Sequence, residues 1–531
     1  MKKYGKGKLA VAALAMMLSA SMGQASLAAP KADDCFNGIN VVSGAMSQAE
    51  LDKNATKLTY GKVTTSVLDS RTDEKWFCLD VTQNGYFKIN LKVNKNSDLS
   101  LIQDGWAFEI YKKDAMDTCI KGVYKITSSA DSPCLGMEEG RYYVKVFAQK
   151  TSDFGGECAP DGCPFDITAS YVATPYWESE ANDLRNDAET IFTNKTYSGT
   201  IYNRLDEDWY KFNITKNGYF TVTLKPDKDL CSLEAIQDGW YFEIVDINNN
   251  VIASYEDIKT SGVTSYPVPF KKGTYFVKVR AQKQSDFGGT MDPRDQVYNL
   301  TVKEIANDYW EKENNDLQNK ANTIKLGKTY KGLTYYRKDA DWYKFKLTAN
   351  GKVKVSLKKD AKTDYENVQD GWDFFVYNAN TKELAHQVGI KSADSVTLDL
   401  KKGTYYIKVY PKRDSDFGGT TDPRNCIYDL RVDYTKTPAQ AKLEKVTGGK
   451  KSVKLQWKKA ANASGYYIYR STSKGGKYKK IATVKGATKT TYTDKKLKAK
   501  KRYYYKVVSY RVENKLTATG KASNIKYTKT K

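Results

Sequence analysis

One histidine, His386, occurs in 531 residues. A Ser-His-Asp hydrolase and a His-ligated catalytic zinc both lack parts in such a chain. There is no Gly-rich phosphate loop followed by Lys-Ser/Thr, and no dinucleotide-binding strand-turn-helix. Cysteines never form a CxxC pair, so the usual structural-zinc signature is missing. Long helical periodicity is absent, as is the Arg-Gly-Asp tripeptide. The one apolar run, 9–22, is too short to cross a bilayer. A glycosidase needs only two carboxylates, and acids abound. The conspicuous acids recur in repeats, however, which points away from one catalytic centre and toward a non-enzymatic binding protein.

The chain is repetitive. Trp76, Trp209 and Trp342 stand 133 residues apart. Each is followed by an Asn-Gly pair (84–85, 217–218, 350–351), then Gln-Asp-Gly-Trp (103–106, 237–240, 369–372), then Ser-Asp-Phe-Gly-Gly (152–156, 285–289, 415–419). This period exceeds that of a solenoid unit and indicates tandem domains. Residues 1–29 read as a secretory signal: Lys2, Lys3, Lys6 and Lys8, the apolar run, then small residues to Ala29. The mature protein is expected to be secreted or cell-surface associated, with no transmembrane segment. Expected divisions are a Cys-rich repeat at 30–172, repeats at 173–303 and 304–434, and a basic domain at 435–531.

Six of eight cysteines fall in the first repeat, as suits an exported protein. Sequence leaves the connectivity open. Short spacing favours Cys158–Cys163 and Cys119–Cys134, leaving Cys35–Cys78; Cys231 and Cys426 either bridge repeats or stay as thiols. Charge is segregated. Residues 436–531 hold 28 Lys/Arg against Glu444, Asp494 and Glu513, a net +25, so the remainder is near neutral. Such a module attracts anionic cell-wall polymers or sulfated glycans. Its densest cluster, Lys495, Lys496, Lys498, Lys500, Lys501 and Arg502, is the candidate polyanion patch, and nucleic acid is not the expected partner.

Short runs alternate apolar and polar residues, as in 219–224, 275–279 and 353–357; this is the period of half-buried strands. The Asn-Gly pairs read as two-residue hairpins. The expected fold is all-β: three antiparallel jelly-roll-like sandwiches followed by an immunoglobulin-like sandwich.

An acidic, Asn-rich entry segment (176–184, 309–317), an Asp-x-Asp-Trp-Tyr-Lys-Phe strand (206–212, 339–345) and a late Gly-Thr-Tyr strand occur in order in repeats two and three. On these features both resemble the bacterial pre-peptidase C-terminal domain, a β-sandwich related to collagen-binding domains of clostridial collagenases. The resemblance implies calcium held by Glu178, Glu180, Asn182, Asp183, Asp206 and Asp208, and by Glu311, Glu313, Asn315, Asp316, Asp339 and Asp341. Calcium wants six to eight hard oxygens, and the alternative is a solvated acidic linker with turn caps. The first repeat departs, with Asp73 kept but Lys75 at the second aspartate. It is expected to lack the ion, a disulfide staple serving instead.

The recurring loops offer Asp104 with Trp106, Asp238 with Trp240 and Asp370 with Trp372, then Asp153 with Phe154, Asp286 with Phe287 and Asp416 with Phe417. They line either a shared ligand surface or the core and its turns. Residues 438–531 resemble a fibronectin type III domain through Trp457, Gly465–Arg470 and Tyr503–Val507, with Trp457 expected in the core. The resulting expectation is an adhesion protein engaging extracellular protein or glycan. Two alternatives are an accessory protein of the cell envelope without a soluble ligand and a secreted carbohydrate-binding factor.

Overall fold

The computed structural model describes residues 47–97, 102, 105–117, 119–149, 162–180, 182–202, 206–231, 239–269, 272–282, 295–334, 339–361, 371–412 and 426–531. The expected export segment lies outside them. No helix among the described residues is long and apolar enough to cross a membrane.

Alternation makes the strands. In the Gly218–Pro226 strand, Phe220, Val222 and Leu224 are fully buried while the residues between them face out, so one face of the pleat packs the core and the other meets solvent. Repeat two builds two sheets this way. The first runs Glu189–Thr190, Glu207–Ile214, Gly273–Ala281, Trp240–Asp246, Val251–Ile258; the second runs Thr196–Thr200, Val297–Ala306, Gly218–Pro226, Val263–Thr264. Repeats one and three repeat this order. Pairing between strands is antiparallel except for a two-residue parallel contact at the head of each repeat, and Trp177 and Trp310 add single parallel bridges to Ser198 and Lys331. Each sandwich has its own core. The C-terminal sandwich packs Lys442–Gly449, Ser452–Lys458 and Thr491–Asp494 against a sheet centred on Gly465–Ser471 and Arg502–Glu513, with Trp457 buried in its core.

The Asn-Gly pairs do not close hairpins. The strands they join belong to opposite sheets, so each pair turns a corner across the sandwich. The Asn backbone carbonyl then accepts a bond from the residue after the last strand: Thr174 N to Asn84 O, Asn307 N to Asn217 O, Thr437 N to Asn350 O. Glycine is required by close approach. A Cβ on Gly218 would stand 2.0 Å from the Ile305 carbonyl oxygen.

The expected cysteine pairings are not made. Cys78 is a thiol under the short helix Gln48–Asn54, packed with Leu51 and Tyr143. Cys134 is a thiol against Trp177 and Val297 of repeat two, so it faces the next repeat rather than Cys119. Cys163 is also a thiol, in the core of repeat one, and is not joined to Cys158. Cys231 carries a thiol as well.

Both junctions between consecutive repeats share one clasp. Trp177 lies tilted against Tyr86 with ring centroids 4.2 Å apart, and Trp310 against Tyr219 at 4.3 Å. Each Trp comes immediately before the first acid of an entry segment, so the acids are delivered beside the seam between repeats.

Candidate metal centres of the second and third repeats

The entry segment crosses beneath the strand that carries the paired aspartates. Trp209 N donates to Asn182 O at 3.1 Å, and Trp342 N to Asn315 O at 3.2 Å. The tryptophans that mark the repeat thus fix the segment's backbone. In repeat two, Glu178, Glu180 and Asp208 bring carboxylate oxygens within 4.8 Å of one another; in repeat three, Glu311, Glu313 and Asp341 do the same. A further group, Glu313, Asp316 and Asp339, shares Glu313. Asp183 and Asp316 also cap the aspartate strand, accepting from Glu207 N at 3.2 Å and Ala340 N at 3.3 Å. The Asp206 side chain accepts from Tyr202 N at 2.5 Å.

Two tyrosines that sequence reasoning missed complete each centre. The Tyr298 hydroxyl lies within bonding reach of Glu178 Oε2 (3.1 Å), the Tyr210 hydroxyl (2.7 Å) and Asp208. In repeat three Tyr343 donates to Glu311 Oε2 at 2.9 Å and Tyr428 to Asp341 Oδ2 at 2.5 Å. Backbone amides take the outer oxygens, Thr200 N on Glu178 at 2.5 Å and Leu333 N on Glu311 at 2.7 Å. A glycine gives clearance: a Cβ on Gly199 would stand 2.3 Å from Glu178 Oε2.

These contacts leave an inward-facing set of acceptors. Glu180 Oε1, Asn182 Oδ1 and Asp208 Oδ1 are buried with no hydrogen-bond partner among the described residues, and Glu313 Oε1, Asn315 Oδ1 and Asp341 Oδ1 match them. Buried polar atoms are rarely left so, and the same omission twice at equivalent positions is a property of the design. An all-oxygen set of carboxylates and amide carbonyls suits a hard divalent cation such as calcium. Without a cation the centre resists ionisation. Burial, then the neighbouring negative charge, pushes Glu178 and Asp208 well above the carboxylate range. Burial raises Asp206 to about 7, and Glu311 and Glu313 to about 8. Several carboxylates confined together in low dielectric destabilise each other's charge, which a divalent ion would reverse.

Repeat one keeps only Asp73 of this arrangement. Where repeats two and three have the second aspartate, Lys75 places its ammonium 2.6 Å from Asp69 and 2.9 Å from Asp73. Asp73 still accepts from the backbone of Asp69 at 2.7 Å, as Asp206 does from Tyr202. The positions equivalent to Tyr210, Tyr298 and Gly199 are Phe77, Phe165 and Ser66. A built-in ammonium therefore stands at this point.

Of the two readings of the recurring tryptophans, the core one fits: Trp106, Trp240 and Trp372 are fully buried. Trp240 packs edge-on against Tyr298 and Trp372 against Tyr428, so they back the hydroxyls that serve the acidic centres. Asp104, Asp153, Phe154, Asp238, Asp286, Phe287, Asp370, Asp416 and Phe417 lie outside the described residues. The six basic residues from Lys495 to Arg502 are all exposed.

Residues 339–411 match the family model of the bacterial pre-peptidase C-terminal domain. Collagenase ColT of Clostridium tetani is 23% identical over 241 residues, 44% of this chain and 22% of that protein. An amylopullulanase of Thermoanaerobacter thermohydrosulfuricus is 37% identical over 91 residues, 17% of this chain and 6% of that protein. The chain thus spans less than a quarter of the length of either curated relative. Among solved structures, the pre-peptidase C-terminal domain of a Bacillus anthracis collagenase is 19% identical, with 21% of this chain and 94% of that one covered and a TM-score of 0.17. A fibronectin type III-like protein from Clostridium thermocellum is 28% identical over 17% of this chain and 92% of its own, with a TM-score of 0.14.

Proposed function

We propose that this chain is an extracellular binding protein whose third repeat engages a collagen-like matrix protein, on a scaffold stabilised by calcium in repeats two and three. The carrying observation is the outer face of the third repeat's five-stranded sheet. In every repeat a lysine lies over the marker tryptophan: Lys145 over Trp76 at 6.0 Å, Lys278 over Trp209 at 5.4 Å, Lys408 over Trp342 at 5.8 Å. In repeats one and two a glutamate neutralises that lysine, Glu109 at 2.8 Å and Glu243 at 3.2 Å. Repeat three has Phe375 at the glutamate's position. Its ring stacks on Tyr410 at 5.7 Å and lies 6.2 Å from Tyr377, which meets Trp342 at 5.5 Å. The row is half-buried, and Lys408 has no ion pair among the described residues. Aromatic rows with a polar handle anchor protein interfaces, and the part-length likeness to a collagenase supports collagen as the class.

The test is co-sedimentation of the protein with collagen fibrils in calcium. Pelleting that is lost in Phe375→Ala and Tyr410→Ala supports the reading; pelleting that is absent, or unaffected by both, contradicts it.

A second contact, with anionic polymer, rests on one end of the C-terminal sandwich. Leu497 N donates to Lys451 O, Thr530 N to Lys501 O and Lys531 N to Gly449 O. These bonds gather Lys450 and Lys451, the 495–502 cluster, and Lys529 and Lys531 at one end, with no acid among them. Attachment there would weaken steeply as salt rises, since counterion release drives it.

A further inference from the structure

A cleft of about 780 Å³ opens where repeats two and three meet. Asn217 enters it from repeat two, and Lys312, Asn314, Lys320, Asn322 and Lys325 from repeat three. Its wall is the reverse side of the metal-centre segment. Glu311, Glu313 and Asn315 are buried, whereas Lys312 and Asn314 between them are exposed, as alternation along an extended chain requires. Asn322 locks that wall, accepting from Lys312 N at 2.9 Å and donating to Lys312 O at 3.0 Å. The one acid in the lining, Asp308, is engaged by Asn217 Nδ2 at 3.3 Å. Lys312, Lys320 and Lys325 have no ion pair among the described residues.

The charge belongs to this seam alone. One repeat earlier, the positions of Lys312, Asn314, Lys320, Asn322 and Lys325 carry Ser179, Ala181, Asp187, Glu189 and Phe192. The seam clasp is common to both junctions, so its maintenance does not account for three lysines at the second. Ammonium groups pair with carboxylates, side-chain amides with hydroxyls, and the Tyr309 ring offers an apolar surface beside them. A cleft of this size holds a small oligomer. We propose that the junction of repeats two and three binds an acidic oligosaccharide, its carboxylates paired with Lys320 and Lys325 and its hydroxyls with the Asn217 and Asn314 amides. The inference does not rest on the matrix-protein reading of the third repeat.

The whole chain, in calcium, is titrated by calorimetry with a hexuronate trisaccharide and with the neutral hexose trisaccharide of the same linkage. The expected result is binding of the acidic sugar at least tenfold tighter than the neutral one. It should weaken at least tenfold in Lys320→Gln/Lys325→Gln and be unchanged in Phe375→Ala and in Lys495→Gln/Lys496→Gln. Both cleft lysines are exposed, so the melting temperature should stay at the parent value. No binding, equal binding of the neutral sugar, or loss only in the Lys495/Lys496 variant overturns the proposal.

Discussion

Lys75 stands 2.9 Å from Asp73 in repeat one, at the positions that repeats two and three give to Asp206 with Asp208 and to Asp339 with Asp341. The first sandwich carries its cation in its own sequence. Lys75→Met should cost little, about 1 kcal/mol or less, because the pair is partly exposed. Lys75→Asp should not create a calcium site, since Phe77 and Phe165 supply no hydroxyl and Ser66 fills the glycine's space. The check is the calcium-induced rise in melting temperature, which should match the parent's in Lys75→Asp.

Tyr298→Phe tests the hydroxyls. It leaves Glu178 and Asp208 without their shared partner in a buried site, a change worth about 1–3 kcal/mol. Chemical denaturation in chelator should show the loss, and the affinity of repeat two for calcium should fall.

Much of this was legible in the sequence. Period-two strands and the recurring tryptophan reveal tandem sandwiches, and the entry acids follow from the resemblance of repeats two and three to the pre-peptidase C-terminal domain. The tyrosines are not legible in this way, because Tyr210 and Tyr298 sit in strands where an aromatic reads as core; their hydroxyls alone reach the acidic centre. The three-way comparison Tyr210, Tyr343, Phe77 held the signal. Asn217-Gly218 marks a turn correctly but cannot say which sheet the next strand joins. Trp240 was ambiguous because a buried indole and a ligand-facing one look alike in a linear pattern.

The pH dependence should have a specific sign. In the cation-free fold Glu311 and Glu313 sit at about 8, above their values in the unfolded chain, near 4.5. Between these limits the folded state keeps protons that the unfolded chain has released, so stability in chelator should fall as pH rises from about 4.5 to about 8. With calcium the ligands are ionised and the dependence reverses, affinity being lost on acidification. Thermal melts across this range, with calcium and with chelator, should converge at the acid end and separate at the alkaline end.

Phe375→Glu should give the third repeat the face of the first two. The new carboxylate can pair with Lys408 as Glu243 pairs with Lys278 at 3.2 Å. Stability should change by less than about 1 kcal/mol, while pelleting with collagen fibrils is lost. Retained pelleting would remove the aromatic row from the account.

Repeats two and three are proposed to be cation centres, and repeat one is not. The most direct test of this assignment is a calorimetric calcium titration of the parent chain and of Asp208→Ala, Asp341→Ala and the double variant, with melting temperatures measured alongside. Binding should be lost in part in each single variant and completely in the double one. The calcium-dependent stabilisation, about 2.7 kcal/mol per site at a hundredfold excess over Kd, should disappear with it. Calcium binding that persists in the folded double variant, or is absent from the parent, would contradict it.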